Sequence, residues 1–332
     1  VLRKLLSPWR PAVYHGFGRT KAFFEGWYFK AVSADGRSRY AVIPGVSLAE
    51  RPEESHAFIQ VLDGLSRSSD YFRFPLSEFE ADRRRFDVRI GRSRFRLEGI
   101  TLDAASGGRF IRGGLAFDGI RPWPVRLFSP GAMGWYAFAP AMECSHGVLG
   151  FNHRLEGRLT VNGREADFGG GKGYIEKDWG RSMPRAWVWA QSNHFDEEDA
   201  SLSLSLGTVP WRRRWFSGQL AGFWLRGRLF PFATYTGSKV ARFEVSPDEI
   251  FVVFDDGRHA LDVRARRAEG APLASPVQGA MEGRLTETMD SEAEVVLRSG
   301  RGPARRTVFQ GRGRFACLEV VGDMDELKSG IK

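Results

Sequence analysis

The chain has little cysteine, little histidine and no long apolar run, and each shortage removes a class of protein. Two cysteines occur in 332 residues, Cys144 and Cys317, each inside an apolar stretch. No disulfide framework is expected, and both should be reduced, buried thiols. The six histidines form no close cluster, and neither HExxH nor paired CxxC is present, so the reading expects no metal and no cofactor. No stretch approaches the roughly 18 apolar residues that a membrane-spanning helix needs. Pro8 and Pro11 interrupt the start "VLRKLLSPWRP" before a signal-peptide core can form. "GGGKG" (169–173) lacks the spacing and the Ser or Thr of a phosphate-binding loop, and is expected to be a flexible connection. Helical periodicity with caps is scarce as well.

What is present is apolar material at 42% and a formal charge of +9, enough for a real core and a bias toward anionic surfaces. The excess is diffuse. Arg83–Arg84–Arg85 and Arg212–Arg213–Arg214 are short clusters that read first as solvated loops and next as peripheral contacts with an anionic membrane surface. Nucleic acid is not an expected partner. The expected location is cytoplasmic or peripheral to a membrane.

Alternation at period two recurs in 85–103, 153–168, 201–209, 249–267 and 291–299, with hairpin signals at Asp35-Gly36, Asp63-Gly64, Asn162-Gly163 and Asp256-Gly257. The class is all-β, antiparallel, with closure into barrels or sandwiches to hide the edges. The glycine-rich 168–173 segment suggests domains at 1–170 and 171–332, with 173–195 at a pocket or between two barrels. "EGWYFK" (25–30) and "MGWYAF" (133–138) are alike, an echo too weak to be a repeat.

The chemistry concentrates in "GYIEKDWG" (173–180). As a strand it places Tyr174, Glu176 and Asp178 on one face and Ile175, Lys177 and Trp179 on the other. Neighbouring carboxyls in an apolar wall raise each other's pKa, which is how a general acid is made. The alternative is an ion-pair network with Arg181 or Arg185. "PRAWVWAQSN" (184–193) aligns Trp187, Trp189, Gln191 and Asn193, a wall for a large apolar ligand with one polar end, or else a core strand emerging into solvent. "HAFIQV" (56–61) aligns His56, Phe58 and Gln60 for the same cavity, or else opens a strand with a hydrogen-bonded His. "MECSHGV" (142–148) adds Glu143, but sends it and His146 to opposite faces, and a Cys144–His146 nucleophile pair lacks an activating third group.

"FFEGWYFK" (23–30), "GYIEKDWG" and "PRAWVWAQSNHF" (184–195) resemble signature stretches of the tocopherol cyclase family in its bacterial form, with "HAFIQV", "MGWYAF", "MECSHGV" and "FATYTG" (232–237) also fitting, from about Lys21 to Asp323. The resemblance implies two lipocalin-like barrels and few short helices. In the plant enzymes it also implies chromanol ring closure from a prenylated hydroquinone. An acid protonates the prenyl alkene and the phenol oxygen captures the tertiary cation, without a redox cofactor. Plant members carry Asn at the position of Asp178, which makes Glu176 the stronger candidate acid. The expected roles are Glu176 and Asp178 as catalytic carboxyls, with Tyr174, Trp187, Trp189, Gln191, Asn193, His56, Gln60 and Glu143 against a hydrophobic small-molecule ligand. The competing reading is a non-catalytic lipocalin-like carrier of a quinone, isoprenoid or other lipid.

Overall fold

The computed structural model describes residues 7–139, 142–211 and 214–331; Arg212 and Arg213 of the second arginine cluster lie outside them. Strand dominates, in two large antiparallel sheets, as the alternation predicts. The chain forms two compact units, 1–183 with 271–285, and 184–270 with 286–332.

In the first unit, strand Phe23–Val32 pairs with Arg39–Leu48 on one side and with Gly171–Gly180 on the other. The sheet runs on through His56–Asp63 to Ser68–Phe74 at one end, and through Cys144–Val161 and Arg109–Asp118 to the short strand Phe79–Ala81 at the other. The two end strands are neighbours in the chain, joined only by a short 3-10 turn, Leu76–Glu78. A right-twisted sheet whose ends are tied in this way curls on itself, which is the barrel solution to unpaired edges. The second unit repeats the device: Trp187–Ser192 pairs with Arg306–Val321, and the end strands Arg228–Ala233 and Lys239–Val245 are joined by Thr234–Thr236. Each unit is a lipocalin-like barrel. A one-and-a-half-turn helix, Met324–Ser329, is capped by the Asp323 carboxylate, which accepts from the N–H groups of Asp325 and Glu326.

Each barrel closes over its own core. Trp27, Phe29, Ile59, Phe95 and Leu155 are among the buried residues of the first, and Val188, Leu204, Phe223, Val263 and Leu297 among those of the second. Asn162 and Gly163, at φ 51° and 85°, supply the paired left-handed positions of the hairpin turn predicted there.

The expectations for the glycine-rich linker and for the domain boundaries change, while that for the weak echo holds. The "GGGKG" stretch is not a linker: Gly171, Lys172 and Gly173 are the first rungs of strand Gly171–Gly180. The first unit therefore extends past residue 170 to 183. "EGWYFK" lies in a strand whereas "GWYAF" forms the 3-10 helix Gly134–Phe138, so the two are no repeat. A hairpin built from strand Ala271–Val277 and the start of Ala280–Ser299 belongs to the first unit, where Ala274 exchanges two hydrogen bonds with the Gln60 side chain and the Ser47 hydroxyl donates to Gly279 O.

His153 sits in the first core, opposite Gly173, where any side chain would collide with its ring. Both ring nitrogens are buried without hydrogen-bond partners, and burial pushes its pKa down to about 3. The folded state refuses a proton that the unfolded chain accepts below about pH 6.5, so stability is lost as pH falls from about 6.5 toward 3. His153→Met is expected to raise stability by about 1 kcal/mol at neutral pH and by more at pH 5, read from denaturant midpoints. An unchanged acid limb would refute this account.

Candidate functional site

Strand Gly171–Gly180 is central because it is paired on both sides, and the register decides what its residues face. Phe58 stands opposite Gly45, Gly45 opposite Gly26, Gly26 opposite Asp178, and Asp178 opposite His146. These five form one row across the sheet. Ile175 and Trp27 point into the core of the first unit, so Tyr174, Glu176 and Asp178 share the other face, as their alternation requires.

On that face the charges converge. The Tyr174 hydroxyl donates to Glu176 Oε2 at 2.5 Å, and both residues are buried. His146 Nδ1 lies 2.9 Å from Asp178 Oδ1, and its Nε2 lies 3.6 Å from Glu176 Oε2. Burial alone would lower the pKa of His146, but the Asp178 and Glu176 carboxylates outweigh it and raise it to about 9. An imidazolium therefore stands between two carboxylates at neutral pH, with a tyrosine behind one of them. The three acid–base residues offer donor atoms within 4.8 Å of one another, the one such group among the described residues that could hold a metal ion. In the geometry seen, His146 turns one ring nitrogen toward each carboxyl, the place a cation would otherwise take.

Beside this cluster the row offers bare backbone. Gly26 is the one position of its strand that is not fully buried, and a Cβ there would meet nothing nearer than 3.8 Å. At Gly45 the floor is roofed by the Phe58 ring, which stacks on Tyr71 at 5.4 Å. Open space above Gly26 thus adjoins the acid group. A separate cavity of about 70 Å³ reaches His146 from the side of Met133, Ser145 and Trp179, with room for small groups and not for a whole prenyl chain.

The opposite face of the same strand carries a buried ion pair. Lys177 Nζ lies 2.6 Å from Glu25 Oε1, and both side chains are fully buried. The ammonium also donates to the carbonyls of Pro11 and Val13, at 2.9 and 2.5 Å, lies 2.8 Å from His15 Nδ1, and sits over the rings of Trp27 and Trp179. Glu25 in turn accepts the His15 backbone N–H. Burial lowers the pKa of Lys177 to about 8 against the pull of Glu25. This face anchors the segment 11–15 to the barrel.

The sequence reading is thereby sorted. Tyr174, Glu176 and Asp178 come together, joined by His146, which strand alternation had separated from Glu143 and left without a role. The pairing of Cys144–Val161 with Gly171–Gly180 was the missing information, since it sets His146 against Asp178. Glu143 precedes that strand and contributes its backbone carbonyl, which accepts the N–H groups of Arg181 and Ser182. His56 is held by Glu54 O and the Tyr71 hydroxyl, each at 2.7 Å, and Gln60 is engaged with Ala274. The arginines proposed as partners of the acids pair elsewhere, Arg181 with Glu50 and Arg185 with Glu326. The Cys144 thiol is pushed well above its usual pKa by burial and by Asp178, the reverse of what a nucleophile requires.

In the second unit, Val188 and Ala190 enter the core, so Trp187, Trp189 and Gln191 occupy the other face of their strand, buried, with Asn193 following. The Trp187 indole donates to Glu319 Oε2 at 2.6 Å.

Comparison with known proteins adds the lineage. A family model described as tocopherol cyclase-like matches residues 118–322, more than half of the chain. The chloroplastic tocopherol cyclase of Zea mays is 22% identical over 367 residues, a match covering 93% of this chain and 77% of that one. A probable chloroplastic tocopherol cyclase of Oryza sativa subsp. japonica is 24% identical over 201 residues, covering 57% and 42%. The crystal structure of CghA with Sch210972 shares the fold, with a TM-score of 0.55 at 14% identity over 91% of this chain and 89% of that one.

Proposed function

Because the chain belongs to the tocopherol cyclase-like family, we propose that it is a cyclase-type enzyme that protonates an alkene of a prenylated hydroquinone or related isoprenoid, with Glu176 as the proton donor. The observation that carries this reading is the His146 ring set between Asp178 and Glu176, with Tyr174 bonded to Glu176. Asp178 orients the ring, His146 holds the proton at Nε2, and Glu176 receives it and delivers it to the alkene carbon. The phenol oxygen of the substrate attacks the tertiary cation, and its proton returns to the Glu176–His146 pair. Atoms and electrons balance within one substrate, so the closure is an isomerisation that consumes no oxidant or reductant.

The test is incubation with a panel of prenylated hydroquinones, with chromanol detected by mass, with and without a chelator. Product that survives chelation supports proton catalysis; chelator-sensitive product would assign His146, Glu176 and Asp178 to a cation instead. Binding without any product would favour the carrier.

Gly26→Val fills the open space above Gly26, opposite Asp178, without removing any acid group. It is expected to lower kcat/KM at least about tenfold through KM, with the melting temperature unchanged or raised, because a β-branched residue suits a strand with open space above it. Full activity in this variant would place the substrate elsewhere.

A further inference from the structure

Five of the ten exposed large apolar residues among the described residues fall within positions 125–138: Val125, Leu127, Phe128, Trp135 and Phe138. Scattered apolar residues need no explanation, but a concentration of this kind does. Leu127 and Phe128 form the tip of a tight hairpin, closed by the pairs Val125–Pro130 and Arg126–Ser129, and are 67% and 81% exposed. Trp135 and Phe138 lie on the 3-10 helix Gly134–Phe138. Trp9 connects the two, with its indole N–H donated to Leu127 O at 2.9 Å and its ring 5.0 Å from that of Phe138. The tips are therefore one patch.

We propose that this patch is a docking surface for an anionic lipid bilayer, with Leu127 and Phe128 entering the acyl boundary and Trp135 at headgroup level. The chemistry is that of interfacial anchoring: aromatic and aliphatic tips flanked by exposed Arg10, Arg121 and Arg126. The arginines complement anionic headgroups, which a neutral or basic partner surface would not use, and the bare aliphatic and aromatic tip suits an acyl layer better than the charged face of an acidic protein. The location gives the contact a purpose. Pro130, Ala132, Met133 and Ala137, from the same segment, line the cavity that reaches His146. A bilayer-borne apolar substrate would arrive beside the proposed acid group. That purpose rests on the acid-site reading; the lipid contact itself does not. Arg83–Arg85 is a different surface: Arg85 pairs with Asp87 and Arg83 lies over Phe17.

The experiment is flotation with vesicles of phosphatidylcholine and phosphatidylglycerol at 7:3, without substrate. Wild-type protein should float, less so at high salt. Leu127→Ser with Phe128→Ser should reduce partition by roughly 10- to 100-fold, with an unchanged melting temperature and unchanged turnover of detergent-dispersed substrate. Arg126→Glu should weaken binding to the anionic vesicles alone. No flotation of the wild type overturns the proposal. So does flotation that survives the double substitution, or a wild-type dimer that the double substitution dissolves while vesicles are ignored. Failure here leaves turnover in detergent intact, and failure of the acid-site reading leaves flotation intact.

Discussion

Glu176→Gln should abolish most ring closure, lowering kcat by about 100- to 10,000-fold, the usual contribution of a positioned acid, while the protein stays folded and keeps its ligand. The amide preserves the shape of the carboxyl and an oxygen for the Tyr174 hydroxyl, which in the wild type donates to Glu176 at 2.5 Å. What is lost is the ability to deliver a proton, together with one of the two charges that raise the pKa of His146. The pH profile separates catalysis from architecture. His146 keeps its proton up to about pH 9 because Asp178 and Glu176 outweigh its burial, so the alkaline limb should fall near that pH. Asp178→Asn removes one of the charges that raise it, and the limb should move toward neutrality. The same shift has a stability consequence: a histidine with a raised folded pKa contributes fully below about pH 6.5, and the contribution is lost as pH climbs toward 9. A variant that melts early yet keeps kcat would mean that Glu176 is structural and the proton comes from elsewhere.

The second large effect is on folding. Lys177→Met is expected to cost about 3–5 kcal/mol, the price of leaving one member of a buried pair behind. Glu25 is fully buried, and the Lys177 ammonium is its partner at 2.6 Å. Removing that charge also releases the carbonyls of Pro11 and Val13. Adding Glu25→Gln to Lys177→Met should recover much of the loss, since no uncompensated charge then remains in the core. Equal destabilisation in single and double variants, measured by chemical denaturation, would show that packing against Trp27 and Trp179 matters and the charge does not.

Much of this was readable before any coordinates. The two-residue period located the strands, the Asn162-Gly163 turn was identified by type, and the split of "GYIEKDWG" into an acid face and a lysine face follows from pleating alone. What the sequence could not convey is lateral pairing. Glu25 and Lys177 are 152 positions apart, and nothing local says that a buried carboxylate awaits the lysine. His146 was set aside for the same reason, because its relation to Glu143 is a property of one strand and its relation to Asp178 a property of two. The glycine-rich stretch misled in a physical way. Gly171 and Gly173 are small because the backbone of Val32 and the ring of His153 press against them, which in sequence resembles the freedom of a linker.

The hairpin at 271–285 imposes an order of events on biosynthesis. Its Gly279 and Ala274 hold Ser47 and Gln60 of strands that leave the ribosome more than 200 residues earlier. The strands of the first sheet all lie within residues 23–180, so that barrel can close as it is made, but it receives the covering hairpin only after strands of the second have begun to emerge. Until then the surface that carries Ser47 and Gln60 stays uncovered, and a first barrel without its hairpin is the species that chaperones would meet. A fragment ending at residue 183 would reproduce that waiting state, and its solubility would report how well the protein tolerates it.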